Sequence, residues 1–482
     1  MIVGIDVGTQ SLKAVVLDER LRICGEAAIS YQPTFPKPGW AEQAPDVWEA
    51  ALAPTIHRAL EAAHVAPSGV KALGIGGQLD GCIAVAADGL PAYPCLIWMD
   101  RRAQDEIADF PADEIRNRSG VILDPSHMAA KIKWLKRNVS GADSGCVYHQ
   151  PASYLVYRLT GSHIMDHALA STSMLYSLPT RTFDPWLLNL FGIESAELPD
   201  LADAADTAGT LSANGSRLTG LAEGTPVAVG TGDDFSTPLG AGAVSPGRLI
   251  CVLGTAEVVG AVHPTPVIDQ GGLVETHAFA GGAYFIENPG WLSGGALSWF
   301  NQVFGLRDFR QLDELADSTP PGCDGLTFLP GLSGTMAPEW VASARGCFYG
   351  LTPAHGTGHM ARAVLEGSAF AMRDVIERLN AMGVETHSIL VLGGGANSST
   401  WVRIRSDLTG LPVEIPDIVD TAPVGSALLA AVAAKIQPDL ISAAQTVGVI
   451  RETVEPDPEV RPAYDEAHAA YRRLFDCLRP MF

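Results

Sequence analysis

Residues 2–18 read IVGIDVGTQSLKAVVLD and contain two apolar runs, at 2–6 and 12–17, on either side of the polar break 8–11. A third, shorter run follows at residues 21–24. Short apolar runs separated by turn residues predict β-strands joined by tight turns. The chain is therefore predicted to open as a three-stranded antiparallel meander whose first turn carries Gly-Thr.

A helix and a fourth strand are predicted to follow the meander. Residues 45–63 repeat apolar side chains at a four-residue step, which gives one apolar helix face. These side chains are Trp48, Leu52, Ile56 and Leu60. Residues 70–75 return to a strand pattern. Three strands, a helix and another strand are the opening of a ribonuclease-H-like α/β layer.

The second half of the chain repeats this opening. Residues 248–259 again form an apolar strand that ends in Gly-Thr and leads into a second apolar strand. The pairs Gly8-Thr9 and Gly254-Thr255 lie far apart in the chain, and internal similarity of this kind indicates a repeated unit. We therefore predict an α/β fold of two ribonuclease-H-like domains, residues 1–241 and 242–482, with a cleft between them.

A strand, a glycine turn and a helix are predicted further along the second half. The apolar run 389–392 enters Gly393-Gly394-Gly395, and residues 400–409 follow with a helix pattern. A turn of this kind, at the amino end of a helix, is suited to hold a phosphate or nucleotide. Helices are also predicted at 360–380 and at 422–434, and the second of these is so rich in small apolar residues that it should be buried.

The bulk composition excludes several classes of protein. Of the 482 residues, 47% are hydrophobic and 18% are charged, and the net charge is −22. A strongly acidic chain lacks the basic face that nucleic acid requires. No apolar run approaches the ~18 residues of a membrane span, and the N-terminus has no leader pattern, so we expect a cytoplasmic protein that does not enter membranes. The eight scattered cysteines form no CxxC pair and are expected to be reduced.

The two Gly-Thr turns are candidate phosphate-binding hairpins. Neither GxxxxGK[ST] nor GxGxxG occurs in the sequence, so any ATP must be bound in another way. A turn without a Cβ lets backbone N–H groups approach phosphate oxygens, and Asp6, at the end of its strand, could hold hydrated Mg²⁺. Taken singly, each turn is better explained as an ordinary hairpin. The acid, the repeat and the later glycine turn together favour nucleotide binding.

Two adjacent acids near the domain boundary are candidates for a catalytic base. Asp233 and Asp234 end the segment VGTGDD at residues 229–234. Phosphoryl transfer to a hydroxyl needs a carboxylate that orients and deprotonates the attacking oxygen. Neighbouring side chains rarely point the same way, so one acid is expected to face the hydroxyl and the other to support it. The alternative is a simple acidic turn.

Two polar loops could bind a polyhydroxy substrate. One is GGQLDG at residues 76–81, and the other is IWMDRR at residues 97–102, which offers an indole face beside an acid and two bases. A polyol ligand needs several donors and acceptors together with an apolar wall. Trp98 is equally compatible with a core position, and Asp100 with a surface ion pair to Arg101.

Many ordered motifs in this chain resemble those of the FGGY carbohydrate kinase family, which lies within the actin-like ATPase superfamily. The resemblance runs from residue 1 to about residue 475. The motifs are IVGIDVGTQSLKAVVLD (2–18), PGWAEQAPDVW (38–48), GGQLDG (76–81), IWMDRR (97–102), TGDD (231–234), LGTAE (253–257), FLPGLSG (328–334), GCFYGLTPAHGTGHMARAVLE (346–366) and GGGANSSTW (393–401). One family signature is only partial, because Met128 stands where Pro, Ser or Thr is usual.

The resemblance implies a role for each motif. It implies that Asp233 is the catalytic base, that Asp6 organises Mg²⁺, and that the first domain binds the sugar while the second binds ATP. The residues implied for the nucleotide are Gly8, Thr9, Gln10, Gly254, Thr255, Gly294, Gly394, Gly395 and Asn397. The residues implied for the sugar are Gln78, Leu79, Asp80, Trp98, Asp100 and Asp234.

The implied activity is transfer of the γ-phosphoryl group of ATP to a hydroxyl of a small ketose. The pattern is most similar to xylulokinases, which suggests D-xylulose. Xylulokinases, however, usually carry Met-His where this chain has Leu79-Asp80, and an ionised aspartate can only accept hydrogen bonds. Another pentulose, or a polyol such as erythritol or glycerol, therefore stays an alternative, although glycerol kinases place Arg-Glu at the same positions.

Two other classes of protein could share these motifs. A nucleotide-switched machine of the actin or chaperone type would keep the hairpins but would leave the sugar loops without a purpose. A catalytically silent sugar-binding protein would not need Asp6, Thr9, Asp233 and Thr255. A homodimer is compatible with the sequence, which leaves the oligomeric state open.

Overall fold

The computed structural model describes residues 1–143, 145–418 and 420–482. Strands of the first half are β1 (Ile2–Val7), β2 (Ser11–Leu17), β3 (Ile23–Ser30), β4 (Glu42–Gln43), β5 (Ala72–Gly77), β6 (Ile83–Val85), β7 (Cys95–Leu96), β8 (Val147–His149), β9 (Ile164–Asp166), β10 (Tyr176–Ser177), β11 (Thr182–Phe183), β12 (Asp200–Ala202), β13 (Thr207–Thr210), β14 (Pro226–Ala228) and β15 (Thr231–Gly232). Its helices are α1 (Pro45–Ala62), α2 (Gln104–Ile107), α3 (Ala112–Ser119), α4 (Met128–Asn138), α5 (Pro151–Thr160), α6 (His167–Thr172), α7 (Pro185–Phe191), α8 (Ala213–Thr219) and α9 (Asp233–Gly240).

The second half begins with the strand that follows α9. Its strands are β16 (Gly247–Leu253), β17 (Ala256–His263), β18 (Glu275–Ala278), β19 (Tyr284–Leu292), β20 (Thr327–Leu329), β21 (Cys347–Tyr349), β22 (Thr386–Leu392), β23 (Val413–Pro416) and β24 (Ile450–Val454). Its helices are α10 (Gly294–Phe304), α11 (Phe309–Asp317), α12 (Thr357–Ala381), α13 (Ser399–Thr409), α14 (Ala422–Ala433), α15 (Leu440–Val447) and α16 (Arg461–Leu478).

Each half is built on one large mixed sheet of seven strands. In the first sheet the order is β13-β14-β5-β1-β2-β3, and β15 pairs with the end of β5. The order in the second sheet is β18-β19-β17-β16-β22-β23-β24. In both sheets an antiparallel hairpin that carries Gly-Thr, β1–β2 or β16–β17, lies beside a parallel neighbour, β5 or β22. The predicted pair of related α/β domains is confirmed.

Two helices are exchanged between the halves. Helix α14, from the second half, lies across β1 and β5 so closely that an added Cβ on Gly4 would be 2.0 Å from the Pro423 carbonyl oxygen. A Cβ on Gly74 would be 1.9 Å from the Ser426 carbonyl oxygen. Helix α9, from the first half, packs against the second sheet through Phe235 and Leu239. The two sheets are therefore joined by close backbone contact as well as by the connecting chain.

The predicted elements of the first sheet are found with small shifts. The helix predicted at 45–63 is α1, and the strand predicted at 70–75 is β5. The third strand begins later than predicted, because Leu21 lies in a tight turn with φ +63° and donates its N–H to the Asp18 carbonyl oxygen. In the second half, the predicted helices 360–380, 400–409 and 422–434 correspond to α12, α13 and the buried helix α14. The domain boundary near residue 241 stays a prediction.

Candidate active site

Three parallel strand ends place the first group of site residues. Asp6 on β1 is in register with Gly76 on β5, and Gly76 is in register with Thr231 on β15. Asp233, two residues further along, is the first residue of α9 and so lies at the same edge of the sheet. Gly230 allows this approach, since its φ is +78° and an added Cβ would lie 2.1 Å from a β5 carbonyl oxygen. The topology therefore brings Asp6 and Asp233 together.

The carboxylates at this edge disfavour one another's ionisation. Burial, followed by the charge of Asp233, raises the pKa of Asp6 to about 7. Burial and the adjacent Asp234 raise the pKa of Asp233 to about 7. The pKa of Asp234 is also raised to about 7, by burial and then by Asp80 and Asp6. Groups poised in this way suit proton transfer near neutral pH.

Asp6 has the features of a residue that faces a cation. Its side chain is 5% exposed, and its Oδ1 has no hydrogen-bond partner among the described residues. A buried carboxylate oxygen without a partner is costly, and a hydrated divalent ion would satisfy it. The residues present therefore fit Mg²⁺.

Lys13 was not among the predicted site residues. It lies opposite Asp6 in the β1–β2 register, and its Nζ is 2.8 Å from Oδ2 of Asp420 in the second half. The cationic side chain thus lies beside the first hairpin and links it to the second half through Asp420. A single lysine within the apolar strand LKAVVL at 12–17 was the available signal.

A hydrogen-bonded chain joins the first Gly-Thr turn to the predicted sugar loops. The indole N–H of Trp98 donates to Thr9 Oγ1 at 3.0 Å, and the Thr9 hydroxyl donates to Gln78 Oε1 at 3.2 Å. Gln78 Nε2 donates to Gln43 Oε1, and Gln43 Nε2 donates to the Thr9 carbonyl oxygen, both at 2.7 Å. Trp98 is 44% exposed, so its ring is not a core residue. Gln43, which was not among the predicted site residues, completes this series of hydrogen bonds by bonding to both Gln78 and Thr9.

Three further predicted site residues, Gly8, Gln10 and Leu79, lie in the first turn and in the loop at 76–81. Gly8 donates its N–H to the Ser11 carbonyl oxygen at 3.0 Å, and Gln10 next to it is exposed. Leu79 packs against Gly232, where an added Cβ would lie 1.9 Å from Leu79 Cδ2. The predicted sugar loop is therefore in contact with the strand that leads to the paired aspartates.

The carboxylate of Asp100 is buried and paired within the first half. Its side chain is 0% exposed and accepts the N–H of Ala41 at 2.6 Å. Arg102 donates to both of its oxygens through Nε at 2.9 Å, and also through Nη2. A carboxylate that is saturated by a guanidinium and a backbone N–H has no free acceptor for a sugar. This arrangement gives the predicted substrate contact of Asp100 no support.

The second Gly-Thr turn is joined to the start of α10. The N–H of Gly294 donates to the Gly254 carbonyl oxygen at 3.2 Å, and the N–H of Gly295 donates to that of Thr255 at 3.0 Å. A Cβ on Gly294 would lie 2.3 Å from the Gly254 oxygen, so only glycine fits there. Gly254 and Thr255 are themselves exposed and available to a ligand.

The triple-glycine turn lies against the same strand end. Gly393 has φ +79°, and a Cβ on Gly395 would lie 2.5 Å from Cβ of Leu253, the last residue of β16. Gly394 is exposed with open space in front of it, and Asn397 Nδ2 donates to its carbonyl oxygen at 3.2 Å. The predicted nucleotide residues of the second half therefore lie around one end of β16.

A fully buried ion pair supports this nucleotide region and was not predicted. Arg405 on α13 donates to the two oxygens of Glu257 at 2.5 and 2.7 Å, and both side chains are 0% exposed. The hydroxyl of Ser293, next to Gly294, donates to Glu257 Oε2 at 2.7 Å. Glu257 lies two residues after Thr255, so this network fixes the turn relative to α10. The acid in LGTAE was visible in the sequence, but its partner is distant along the chain.

Strands β18 and β19 add two further acids close to the paired aspartates. Glu275 and Glu287 are buried and in register on the two strands. Burial, and then the charges of Asp234 and Glu275, raise the pKa of Glu287 well above its usual range. The wall of the site that the second half supplies is therefore also rich in carboxyl groups.

One further group of potential metal ligands, Asp374, Glu377 and His468, lies on α12 and α16. His468 uses Nε2 toward Asp374 at 2.9 Å and Nδ1 toward Glu377 at 3.9 Å, so the ring bridges the two acids. Arg472 also donates to Asp374 at 3.0 Å. His468 and Arg472 therefore link α16 to α12 through Asp374.

Across the described residues, none of the helices combines the length and the apolar character that crossing a membrane requires.

Comparisons with known proteins agree over nearly the whole chain. The sequence models of the FGGY family of carbohydrate kinases match residues 1–240 for the N-terminal domain and 249–434 for the C-terminal domain. A glycerol kinase from Rhodospirillum centenum is 32% identical over 447 residues, which are 89% of this chain and 88% of that protein. The crystal structure of a xyloylose kinase from Brucella ovis is 30% identical with a TM-score of 0.92, and the alignment covers 100% of both chains. That of a xylulose kinase from Rhodospirillum rubrum is 26% identical with a TM-score of 0.90, covering 100% of this chain and 99% of the other.

Proposed function

The chain belongs to the FGGY family of carbohydrate kinases and is an ATP-dependent phosphotransferase with an alcohol acceptor, and we propose that its acceptor is a small uncharged polyol. The observation that carries this proposal is a group of three carboxyl residues at one edge of the first sheet: Asp80 follows β5, and Asp233 and Asp234 follow β15, which pairs with the end of β5 in parallel. These oxygens accept hydrogen bonds, and each hydroxyl of a polyol can donate one.

Asp233 is proposed to act as the general base. Its pKa of about 7 allows it to take the proton from the acceptor hydroxyl as that oxygen attacks the γ-phosphorus and ADP leaves. This role is supported by the position of Asp233 at the first residue of α9, beside the end of β1 and near the first Gly-Thr turn. Asp234 is proposed to hold another hydroxyl of the acceptor.

ATP is proposed to lie between the two Gly-Thr turns. The residues proposed to contact it are Gly8, Thr9, Gln10, Gly254, Thr255, Gly294, Gly394, Gly395 and Asn397. Asp6 would hold Mg²⁺, which, when bound, neutralises charge on the phosphate oxygens. The two turns would bind and orient the phosphates through backbone N–H groups, and Lys13 adds a positive charge beside the first turn.

The acceptor side of the site favours a polyol over a ketose. Gln78 and Asp80 lie in the loop that follows β5, and the amide of Gln78 already donates to Gln43. A ketose carbonyl needs a hydrogen-bond donor, whereas a carboxyl-rich wall offers mainly acceptors. Leu79 and the exposed ring of Trp98 supply the apolar surface against which a carbon chain can pack.

D-xylulose is the second candidate acceptor. It is favoured by the 30% identity and the TM-score of 0.92 to the xyloylose kinase from Brucella ovis over the full length of both chains. The donor that a keto group needs could be the indole N–H of Trp98 if it were released from Thr9.

A panel of acceptors tests the proposal. Glycerol, erythritol, D-ribulose, D-xylulose and gluconate are each supplied with Mg²⁺-ATP, and ADP release is measured together with the position of the new phosphate. We expect erythritol or glycerol to give the highest kcat/KM and gluconate, an anion, to give none. A clear preference for D-xylulose would establish the second candidate. ADP release that no acceptor stimulates would contradict both and favour a non-catalytic actin-like protein.

Asp233→Asn tests the assignment of the base with the best acceptor of that panel. We expect kcat to fall by roughly 10²–10⁴-fold, the usual contribution of a general base, while the thermal midpoint at pH 8 is no lower than that of the wild type, because the raised pKa of Asp233 makes its ionised form a cost to folding. Near-normal acceptor-dependent turnover in this variant would remove Asp233 from the mechanism.

A further inference from the structure

A buried histidine stands directly behind Asp80. His127 is 3% exposed, its Nδ1 is 3.2 Å from Asp80 Oδ2, and its Nε2 is 3.3 Å from Glu275 Oε1. Within the described part of the chain, neither ring nitrogen has a well-directed hydrogen bond. The ring is therefore held between two carboxylates by charge rather than by ordinary hydrogen bonding.

The three groups come from separate elements in both halves of the molecule. Asp80 follows β5, His127 precedes α4, and Glu275 begins β18 at the edge of the second sheet. Glu275 Oε1 also accepts the N–H of Ile122 at 2.8 Å, which anchors it to the segment that leads to α4. The imidazole therefore ties the sugar loop of the first half to an edge strand of the second.

The charges around the ring favour its protonated form. Burial alone disfavours a charged imidazole, but the carboxylates of Asp80 and Glu275 outweigh it and raise the pKa of His127 well above its usual range. The pKa of Asp124 is lowered despite its burial, first by the charge of Arg101 and then by that of His127. On β18, burial lowers the pKa of His277, so this second ring is neutral.

Asp80 is held from its other sides as well. Its backbone has φ +55°, which only a supporting structure maintains in a residue other than glycine. The amide N–H of Asp80 donates to Gln150 Oε1 at 2.8 Å, and Lys131 Nζ donates to its carbonyl oxygen at 2.5 Å. Its Oδ2 faces His127, whereas its Oδ1 is buried without a partner among the described residues. One oxygen is thus fixed, and the other is left for a ligand.

We propose that His127 is a positioning residue that holds the carboxylate of Asp80 toward the acceptor and so determines the affinity for the acceptor hydroxyl. This inference rests on the proposed function, because it takes Asp80 to be a group that contacts the acceptor. It also gives the second half a part in acceptor binding, since Glu275 holds the opposite side of the same ring. ATP contacts other residues and should be unaffected.

A double-mutant cycle tests the proposal with glycerol, erythritol and D-xylulose as probes. The variants are His127→Gln, Asp80→Asn and the double variant, with His387→Gln, a histidine whose side chain is 74% exposed, as the matched control. For His127→Gln we expect the KM of the best acceptor to rise about 10-fold, because Asp80 keeps its carboxylate but loses the charge that orients it; this is a fraction of the full interaction between two charges about 3 Å apart. The KM of ATP should stay within about 2-fold, and the double variant should be no worse than Asp80→Asn alone.

Several outcomes would overturn the proposal. One is an unchanged acceptor KM in His127→Gln, and another is a rise in the KM of ATP equal to that of the acceptor. Full additivity in the double variant would mean that His127 does not act through Asp80. If His127→Gln does not fold, Glu275→Gln decides the question: an acceptor KM raised about 3-fold with a constant KM of ATP supports the proposal, and no change overturns it.

The wild-type enzyme separates this inference from the proposed function. If it phosphorylates none of the three probes, the proposed function fails and the inference fails with it. If it phosphorylates one of them and the His127 variant behaves like the His387 control, only the inference fails.

Discussion

The two Gly-Thr turns each join two antiparallel strands, but the acids near them, Asp6 and Glu257, differ in whether their carboxylate oxygens have hydrogen-bond partners. Beside the first turn, Asp6 has a buried oxygen without a partner among the described residues, and its pKa is raised to about 7. Beside the second turn, Glu257 gives both oxygens to Arg405 and one of them also to Ser293. One acid is left unsatisfied and the other is saturated.

This difference indicates that one acid has a role in the reaction and that the other has a structural role. A carboxylate that lacks a partner costs stability but can bind an ion, whereas a paired one fixes the geometry around it and binds nothing else. We infer that the first turn carries the reacting groups and that the second holds the nucleotide in place. The two acids should therefore respond in opposite ways to the same kind of substitution.

The largest effect is expected from Asp6→Asn. Loss of the proposed Mg²⁺ ligand should lower kcat on the order of 10³-fold, because a metal ion contributes several kcal/mol to transition-state stabilisation. The thermal midpoint at pH 8, however, should rise. Turnover and differential scanning calorimetry on the same preparation measure both effects.

The sign of the stability change follows from proton linkage. The pKa of Asp6 is raised in the folded state, so between the unfolded value and about 7 the folded chain binds more protons than the unfolded chain. The stability contribution of the wild-type carboxyl group therefore falls as the pH rises through this window. Asn does not titrate, so a midpoint that is lower than that of the wild type at pH 8 would contradict this account.

Glu257→Gln, in contrast to Asp6→Asn, should lower the stability of the fold. Leaving the buried guanidinium of Arg405 without its charged partner should cost about 3 kcal/mol of the free energy of unfolding. Urea titration measures this loss, and the KM of ATP should rise because Ser293 loses an acceptor. Replacing both side chains with apolar ones, Glu257→Leu with Arg405→Met, should recover stability but not ATP affinity. A double variant as unstable as Glu257→Gln would contradict the structural role of this ion pair.

Two glycines of the second half sharpen the comparison with a smaller effect. Gly294→Ala places a Cβ 2.3 Å from the Gly254 carbonyl oxygen, whereas nothing lies within 4 Å of a Cβ on Gly394. We expect Gly294→Ala to cost about 2 kcal/mol by overpacking and to raise the KM of ATP. Gly394→Ala is the matched control, and its thermal midpoint should not change. Equal midpoints for the two variants would show that the turn can yield.

The smallest effect is expected from Asp234→Asn on the pH profile. The charge of Asp234 helps to raise the pKa of Asp233 to about 7, so removing it should lower that pKa. Because a base must be deprotonated, the acid limb of kcat/KM should move to lower pH, by about 1 unit for one neighbouring charge. The shape of the profile is the measurement, since the level also falls if an acceptor contact is lost. An acid limb at the same pH as in the wild type would show that the charge of Asp234 does not act on the pKa of Asp233.

Much of the fold was accessible to sequence reasoning because its signals are local. The alternation around Gly8-Thr9, the four-residue step of α1 and the small apolar composition of α14 each depend on neighbours in the chain. The repeat of Gly-Thr at residues 254–255 then predicted the second sheet, and the structure confirms it. The exchange of α9 and α14 was not predicted, since it depends on packing between distant segments.

The site was less accessible where its contacts cross the chain. The pairs Glu257–Arg405 and His127–Glu275 are each separated by 148 residues, and no local pattern reports them. Asp100 shows the opposite difficulty, because a polar loop beside Trp98 looked suited to a sugar while its carboxylate is consumed by Arg102. Motif position therefore located the loops but could not tell which side chains are free.

The packing of α14 against the first sheet has a consequence for the order of folding. Strands β1 and β5 leave the ribosome early, yet the helix that covers them at Gly4 and Gly74 comes from residues 422–433. The first sheet therefore keeps an apolar face uncovered by α14 until most of the chain has been synthesised. Truncation before residue 433 should expose that face, and fragments of the N-terminal half are expected to need a chaperone or to aggregate.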